Sequence, residues 1–255
     1  MHPVARLRRL RRYSQLELSL RTGVSQRHLS CIETGRATPS RATLLTLLDA
    51  LDAPLNERNA ALLAAGLAPR YSQLALEDPR MDPARDALRS LLNAPGAAPA
   101  LVIDAEWNLL MANAGVSRLL ALLEIEVPAA ATNLLDWLYH GPLRERLLNP
   151  EEMLADLRQR IAREAVHVPA LRARLATLHS APASSQLPGP ILLTRLRAAD
   201  GRELRLFSMF STFGSPLDVT LASLRIEHLF PADAYTAAAL QVAQNPVRTQ
   251  PASGD

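Results

Sequence analysis

The sequence predicts an α+β protein, in which an all-helical N-terminal domain precedes an antiparallel sheet with packed helices. Two observations predict this class. Up to about residue 66, apolar residues recur at helical spacing, and glycines or prolines separate the runs. From about residue 99, short alternating apolar runs enclose a long helical region, in the order of two strands, several helices and three strands.

The N-terminal region is predicted to form five short helices, the first over 4–12. Ser14-Gln15-Leu16-Glu17 has the form of a capping box, with a serine at the cap and a glutamate three residues later. Glycine ends helices because it tolerates the left-handed conformation. The capping and stopping residues that separate the helices are, in chain order, Ser14, Gly23, Ser25, Gly35, Pro39, Pro54 and Gly66.

The composition excludes several kinds of site. All 28 basic residues of the 255-residue chain are arginine, which excludes a Walker phosphate loop, a Schiff base to pyridoxal phosphate and a serine–lysine autoprotease. A single cysteine, Cys31, excludes a disulfide framework and a thiolate zinc cluster. The chain has neither an apolar run of eighteen residues nor a secretory h-region, so we expect a cytoplasmic protein without a membrane span.

Positive charge is concentrated at the N-terminal end. Residues 1–70 hold 11 arginines and 5 acidic residues, a net charge of +6, whereas the remainder of the chain has a net charge of −3. This asymmetry favours contact of the N-terminal domain with a polyanion, although a merely solvated basic face would give the same pattern.

The second and third predicted helices, joined through Gly23, have helix-turn-helix spacing, in which the second helix of the pair enters the major groove of DNA. Glutamine can make two hydrogen bonds to adenine, and arginine can do so to guanine. Backbone N–H groups at a helix start can receive a phosphate. The predicted DNA-binding residues are Ser14, Gln15, Ser25, Gln26, Arg27, His28 and Arg36.

Residues 4–66 resemble the XRE-type helix-turn-helix domain of phage-repressor-like regulators, through the stretch SQLELSLRTGVSQRHLSCIETGRATPS. The resemblance implies a structural ion pair between Arg8 on the first helix and Glu33 at the end of the third. The chain departs from the family at Arg12, where a glycine is usual. Either Arg12 takes the left-handed conformation at a cost of about 1 kcal/mol, or the first helix runs longer.

The second region begins with a predicted helix capped by Asp82. PALVIDAEWNLLMANAG predicts two strands, ILLTRLRAADGRELRLFSMFSTFG predicts a hairpin turning at Asp200-Gly201, and DVTLASLRIEHLF predicts a final strand. Between them, GVSRLLALLEI, NLLDWLYHG, EEMLADLRQRIAREAVHV and VPALRARLATLHS predict helices, and PADAYTAAAL predicts a closing helix. This order is that of a PAS-like domain, a five-stranded antiparallel sheet with helices across one face and a cavity between the two layers.

Residues 80–240 resemble the ligand-binding domain of MmyB-like transcription regulators, through PALVIDAEWNLLMAN, NLLDWLY and FSTFGSPLDVTLASLRIEHLFPAD. The resemblance implies a bacterial repressor or activator whose second domain holds a fatty-acid-like molecule, but its motifs fix no ligand residue. A long apolar ligand needs an apolar lining and one polar or cationic anchor. Met and aromatic residues at such spacings are more often plain core than pocket lining. The candidates for these roles are Trp107, Met111, Asn113, Asn133, Trp137, Tyr139, Arg163, Phe207, Met209 and Arg225.

No catalytic or metal-binding set is predicted, because the histidines have neither Ser-His-Asp nor HExxH spacing. We therefore expect a non-enzymatic, sequence-specific transcriptional regulator. It would bind a roughly palindromic site in double-stranded DNA as a homodimer and a small apolar ligand through its C-terminal domain. The alternatives are a C-terminal domain that only dimerises, and a helical head that docks onto protein. The predicted parts are a helix-turn-helix domain over 1–68, a linker over 69–81, the PAS-like domain over 82–245 and a disordered tail over 246–255.

Overall fold

The computed structural model describes residues 2–94, 96, 98–126, 132–178 and 190–242. The chain forms two compact units, one of Met1–Met81 with Phe213–Ala222, the other of Asp82–Thr212 with Ser223–Asp255. The predicted tail over 246–255 and almost all of the loop SAPASSQLPGP lie outside the described residues. No helix of the described residues is both long and apolar enough to span a membrane.

The first unit contains the five helices that the sequence predicts. Their bounds are α1 Pro3–Leu10, α2 Gln15–Thr22, α3 Gln26–Glu33, α4 Arg41–Ala50 and α5 Leu55–Ala64. The capping box at the start of α2 is confirmed. Ser14 Oγ accepts a hydrogen bond from the backbone N–H of Glu17, and the Glu17 carboxylate accepts one from the N–H of Ser14.

Two left-handed residues set the turns between the first three helices. Gly23 ends α2 with φ of +72°, a conformation that costs glycine nothing. Arg12 has φ of +58°, so α1 ends at Leu10 and the longer first helix is wrong. A non-glycine residue in this conformation costs about 1 kcal/mol.

An apolar core fills the space between the five helices. It includes the residues predicted to face inward from α3 and α4, such as Leu29, Ile32 and Leu44. Each fully buried leucine or isoleucine contributes about 1.5–3 kcal/mol relative to an exposed one. Because α3 buries Leu29, Ile32 and the side chain of Glu33, the side chains of its first turn remain free to face outward.

A buried ion pair joins α1 to the end of α3. Arg8 donates from Nε and Nη2 to the two carboxylate oxygens of Glu33, at 2.6 and 2.7 Å. Its remaining terminal nitrogen donates to the carbonyl of Tyr13, in the turn before α2, at 2.7 Å. The two side chains are 10% and 6% exposed, so the predicted Arg8–Glu33 pair is confirmed as a structural contact.

The second unit combines helices with one antiparallel sheet. In chain order its elements are α6 Asp82–Leu92, β1 Ala100–Ile103, β2 Leu109–Ala112, α7 Ala114–Leu122, α8 Leu134–Tyr139, α9 Pro142–Arg146, α10 Pro150–Glu164, α11 Pro169–Thr177, β3 Thr194–Arg197, β4 Glu203–Ser211, α12 Val219–Ser223, β5 Arg225–Pro231 and α13 Ala234–Val242. The strands lie in the order β2-β1-β5-β4-β3 and every pairing is antiparallel. The predicted five-stranded sheet and the α+β class are confirmed.

The prediction of one strand over DVTLASLRIEHLF is wrong in its first half. Residues Val219–Ser223 form α12, and β5 begins only at Arg225. The reason is local, because the Asp218 carboxylate accepts hydrogen bonds from the backbone N–H groups of Thr220 and Leu221 and so caps a helix. Helix α9, which starts at Pro142, was not predicted either.

The two faces of the sheet have different surroundings. On one face, which we call the helical face, Leu101 and Ile103 of β1 belong to a buried cluster with residues of α8, α10 and α11. Register places Glu227 opposite Leu101 and Phe210 opposite Glu227, so both side chains share this face. Neighbouring positions, such as Ile226, point to the opposite face.

The segment Phe213–Ala222 lies between β4 and β5 in sequence but packs in the first unit. The Asp218 carboxylate accepts a hydrogen bond from the N–H of Leu74 at 3.1 Å, and the N–H of Val219 donates to the carbonyl of Ser72 at 2.8 Å. Thr220 Oγ1 also donates to the carbonyl of Leu74. The stretch that follows α5 is therefore held by the connection between two sheet strands.

We expect Glu33→Gln to lower the free energy of unfolding by about 3 kcal/mol, because it leaves the buried Arg8 guanidinium without a counter-charge. Urea denaturation at pH 7 measures this. Asp52→Asn is the matched control, since Asp52 pairs with Arg11 at an exposed site where a pair is worth about 0–1 kcal/mol. Equal losses in the two variants would contradict the structural role of Glu33.

The same pair predicts a pH dependence. Burial alone would raise the pKa of Glu33, but hydrogen bonds from Arg8 and Gln15 outweigh it and hold the pKa below its usual 4.5. Stability from a lowered pKa is present above that usual value and is lost as pH falls. The stability gap between the wild type and Glu33→Gln should therefore narrow below about pH 4.5.

Candidate nucleic-acid interface and ligand site

The first turn of α3 presents three polar side chains to solvent. Gln26, Arg27 and His28 are all exposed, whereas Leu29 directly after them is buried. Among the described residues, the Arg27 side chain makes no hydrogen bond and no ion pair. These three predicted DNA-binding side chains are therefore brought together on the outer surface of the helix and are free to bind.

Three other predicted DNA-binding side chains have partners inside the unit. Ser14 and Ser25 serve as N-caps, each accepting a backbone hydrogen bond from three residues later. The Gln15 side-chain amide donates to Glu33 at 2.8 Å, which ties the start of α2 to the Arg8–Glu33 pair. The structure thus uses these side chains to place the helices, and a phosphate at this helix start would meet chiefly backbone N–H groups.

Arg36 follows α3 in the turn that Gly35 makes. Its backbone N–H donates to the carbonyl of Cys31, while its side chain is exposed and makes no hydrogen bond or ion pair among the described residues. A fixed backbone with a free guanidinium suits a contact to a phosphate, which needs charge more than direction. Arg36 lies in the same unit as α3 and only three residues beyond its end.

The predicted ligand residues of the second unit do not surround one space. Met111, Phe207 and Met209 lie on the sheet face opposite Arg225, as the register shows, and Met209 is 55% exposed. Arg163 is exposed on α10. Trp137 packs against a different buried cluster from Trp107 and Tyr139.

The two predicted asparagine anchors bind backbone groups. Asn113 caps α7 and its amide donates to the carbonyls of Leu92 and Ala98. The Asn133 amide donates to the carbonyl of Glu106 and to Asn108. Tyr139 donates its hydroxyl hydrogen to the carbonyl of Leu154 in the core, where burial raises its pKa. These side chains have little capacity left for a ligand.

Arg225, in contrast, belongs to a charged cluster on the helical face, which Glu164 of α10 holds together. The Glu164 carboxylate pairs with the guanidinium of Arg225 and accepts a hydrogen bond from the indole N–H of Trp107 at 2.8 Å. It also lies 3.4 Å from Nε of Arg160, one turn earlier on α10. We call Trp107, Arg160, Glu164, Arg225 and Glu227 the arginine cluster.

Two members of the arginine cluster have donors without a partner among the described residues, namely Arg160 at its terminal nitrogens and Arg225 at its buried Nε. The Arg160 guanidinium lies 3.6 Å from the ring centroid of Phe210 and 5.2 Å from that of Trp107, within the range of cation–π attraction. Its two terminal nitrogens make no hydrogen bond among the described residues, yet they are not sealed from solvent. Burial and the neighbouring Arg225 lower its pKa, although a guanidinium stays charged at neutral pH.

Glu227 faces the two arginines without pairing with either. Its Oε1 accepts a hydrogen bond from Ser208 at 2.6 Å, while Oε2 has no partner among the described residues and remains accessible. Burial raises the pKa of Glu227, and this outweighs the Ser208 hydrogen bond and the attraction of Arg160 and Arg225. Glu227 and Arg160 thus both keep polar atoms without a hydrogen-bond partner among the described residues.

Sequence reasoning missed Arg160, Glu164, Ser208, Phe210 and Glu227. A signal existed on α10. Arg160 and Glu164 follow the buried Leu157 at steps of three and four residues, so they occupy core-facing positions that usually carry apolar side chains. No comparable signal existed on the strands. The sequence does not reveal which alternate set of β4 or β5 faces the helices until the register is known.

A separate cleft of about 500 Å³ lies between the end of α7, the β3–β4 hairpin and α13. None of the predicted ligand residues lines it. Its arginine, Arg202, is paired with Asp200 and stacks over the ring of Tyr235. Because that charge is already neutralised, the cleft offers less to a polar ligand than the arginine cluster does.

We expect Glu164→Gln to lower the free energy of unfolding by about 3 kcal/mol, since it leaves Arg160 and Arg225 as two partly buried positive charges without a neutralising carboxylate. Thermal and urea denaturation of the full chain measure this. Glu151→Gln is the control, because Glu151 is exposed in the first turn of the same helix and should change stability by less than about 0.5 kcal/mol. A neutral effect of Glu164→Gln would mean that the cluster does not depend on its carboxylate.

Comparison with known proteins agrees with both units. A family model described as "Helix-turn-helix" matches residues 4–58, and a model described as "MmyB-like transcription regulator ligand binding domain" matches residues 84–243. No curated protein matches the chain. The N-terminal unit is thus an XRE-type helix-turn-helix, and the chain belongs to the family of MmyB-like transcription regulators, with that family's ligand-binding domain following a DNA-binding head.

Proposed function

We propose that the protein is a sequence-specific transcriptional regulator that reads DNA with the first turn of α3. The observation that carries this proposal is the exposure of Gln26, Arg27 and His28 on a helix whose opposite side is fixed by Leu29, Ile32 and the Arg8–Glu33 pair. A rigid helix with free amide and guanidinium groups can make paired hydrogen bonds to base edges in the major groove.

The proposal includes a homodimer on a roughly palindromic operator. A single reading helix of this length covers few base pairs, and two heads on successive major grooves multiply the specificity. In this arrangement a ligand acts by favouring one placement of the two heads, and the change in DNA affinity can be no larger than its preference for that placement.

For the second unit we propose a small apolar ligand such as a fatty acid, bound between the sheet and the helices. The family match supports a ligand, and the polar atoms of Arg160 and Glu227 without partners among the described residues offer hydrogen-bonding capacity on the helical face. Apolar side chains that are only partly buried pack beside the arginine cluster, among them Leu109, Leu134 and Val168.

A second candidate is that this unit serves only for dimerisation. Phe207, Phe230 and His228 stack in a row on the sheet face opposite the arginine cluster, with ring centroids 5.6 and 6.1 Å apart. Such a row on a sheet suits contact with a second copy. Mass spectrometry of organic extracts, combined with melting temperatures in the presence of fatty acids, separates the two: no recovered lipid and no shift would favour dimerisation alone.

Arg27→Ala should relax base preference at one position of the operator, with a loss of about 1–3 kcal/mol of discrimination, because a bidentate base contact disappears. Arg36→Ala should weaken all duplexes about equally and reduce the salt dependence of binding by about one phosphate contact. Selection from a random duplex library, followed by affinity measurements at several salt concentrations, tests both variants.

Arg197→Ala is the matched control, since Arg197 is an exposed arginine on β3 of the second unit. It should leave both the operator profile and the salt dependence unchanged. An Arg27→Ala protein with an unaltered operator profile would refute α3 as the reading helix. A flat salt response of the wild type would instead favour the docking of a helical head onto protein.

A further inference from the structure

Three arginines of the first unit have a guanidinium that makes no hydrogen bond, ion pair or ring contact among the described residues. They are Arg12, Arg27 and Arg36, and all three are exposed. The other arginines of this unit have at least one partner each, as Arg58 has in Asp49. Arg27 and Arg36 already have proposed roles at DNA, and Arg12 does not.

The backbone of Arg12 is held in a conformation that arginine rarely adopts. Its φ of +58° lies in the left-handed region, which glycine would enter without strain. The N–H of Arg12 donates to the carbonyl of Arg9 at 2.9 Å, and the N–H of Tyr13 donates to the carbonyl of Arg8 at 3.1 Å. The turn is therefore fixed around a strained residue. Strained residues of this kind cluster at functional sites, so the Arg12 side chain is expected to have a use of its own.

Two hydrogen-bonded links tie the turn that carries Arg12 to the end of α3. On one side, Arg8 donates to the carbonyl of Tyr13 at 2.7 Å and binds the Glu33 carboxylate with its other nitrogens. On the other side, the Gln15 amide donates to Glu33 at 2.8 Å. Arg12 directly precedes Tyr13, so its position is set by the same contacts that fix the helix proposed to read DNA.

The carboxylates closest to this turn in the structure are already engaged. Glu33 is bound by Arg8 and Gln15, and Glu17 accepts the N–H of Ser14 in the capping box. Within the part of the chain that the structure describes, no carboxylate lies within 4.0 Å of the Arg12 guanidinium. A fixed backbone, a free guanidinium and the lack of a counter-charge suit a contact to a phosphate.

We propose that Arg12 binds a phosphate of the DNA backbone when the first turn of α3 enters the major groove. This rests on the proposed DNA-binding function and adds to it a residue that contributes affinity without reading a base. Together with Arg36, it places one phosphate contact before α2 and another after α3. The reading helix is then held to the backbone of the duplex from two separate segments of the chain.

The test measures binding of the full chain to a duplex selected from a random library and to an unrelated duplex, at several salt concentrations. Arg12→Gly should weaken binding to both duplexes by about fivefold to tenfold near 0.1 M salt, and the slope of log affinity against log salt should fall by about 0.9, because one phosphate contact is lost. The preferred bases should not change. Arg12→Lys keeps the charge and should keep the slope.

Arg11→Gln is the matched control. It removes an equal charge one residue away, but the Arg11 guanidinium is bound to Asp52 and to the carbonyl of Leu51, so the salt slope should stay unchanged. Arg12→Gly should melt no lower than the wild type, since glycine adopts the left-handed conformation freely. If it does melt lower, Arg12→Asn takes its place, because asparagine tolerates this conformation and carries no charge.

A wild-type affinity and salt slope in Arg12→Gly would overturn the phosphate contact and leave α3 as the reading helix. Equal losses of slope in Arg12→Gly and Arg11→Gln would also overturn it, because they indicate a general effect of net charge. An altered base profile in Arg12→Gly would assign the side chain to a base instead. If the wild type retains neither duplex at any salt concentration, the proposed function fails together with the contact.

Discussion

The position of α3, the helix proposed to read DNA, depends on the buried pair of Arg8 and Glu33. One guanidinium reaches the end of α3 and the backbone before α2, and the same carboxylate receives the Gln15 amide at the start of α2. Three helices are thereby fixed around two side chains. A pair this deeply buried gains little net energy, because desolvation opposes the attraction, but it tolerates only one geometry. It therefore contributes more to the orientation of α3 than to its stability.

Most of the helical head could be predicted because its signals are local. A cap at Ser14 and a left-handed glycine at Gly23 determine helix ends through contacts within four residues. The number of strands and their order along the chain were predictable for a similar reason, since the alternation of apolar and polar residues is visible in each strand separately. The error at Val219–Ser223 arose where one side chain, Asp218, caps a helix within a stretch of strand-like composition.

The candidate sites also differ in whether their signals are local or depend on contacts between distant segments. The exposure of Gln26 and Arg27 was predictable because the exposed side of a capped helix follows from its buried side. The arginine cluster was not, because it joins residues 107, 160, 164, 225 and 227 through strand register and the packing of α10, which no single segment encodes. Phe207 and Met209 belong to the alternate set of β4 that faces away from the arginine cluster, and a shift of one residue moves a strand's whole apolar set across the sheet.

The packing of Phe213–Ala222 in the first unit has a consequence for how the gene can be rearranged. A DNA-binding domain joined to its neighbour by one chain connection can be replaced by another through a single recombination event. Here the backbone passes between the units three times, after Met81, Thr212 and Ala222. A fragment ending at Met81 would leave the Leu74 amide without its carboxylate and the Ser72 carbonyl without its donor. The head and the β4–β5 connection are accordingly inherited as one piece, and domain shuffling has to carry both.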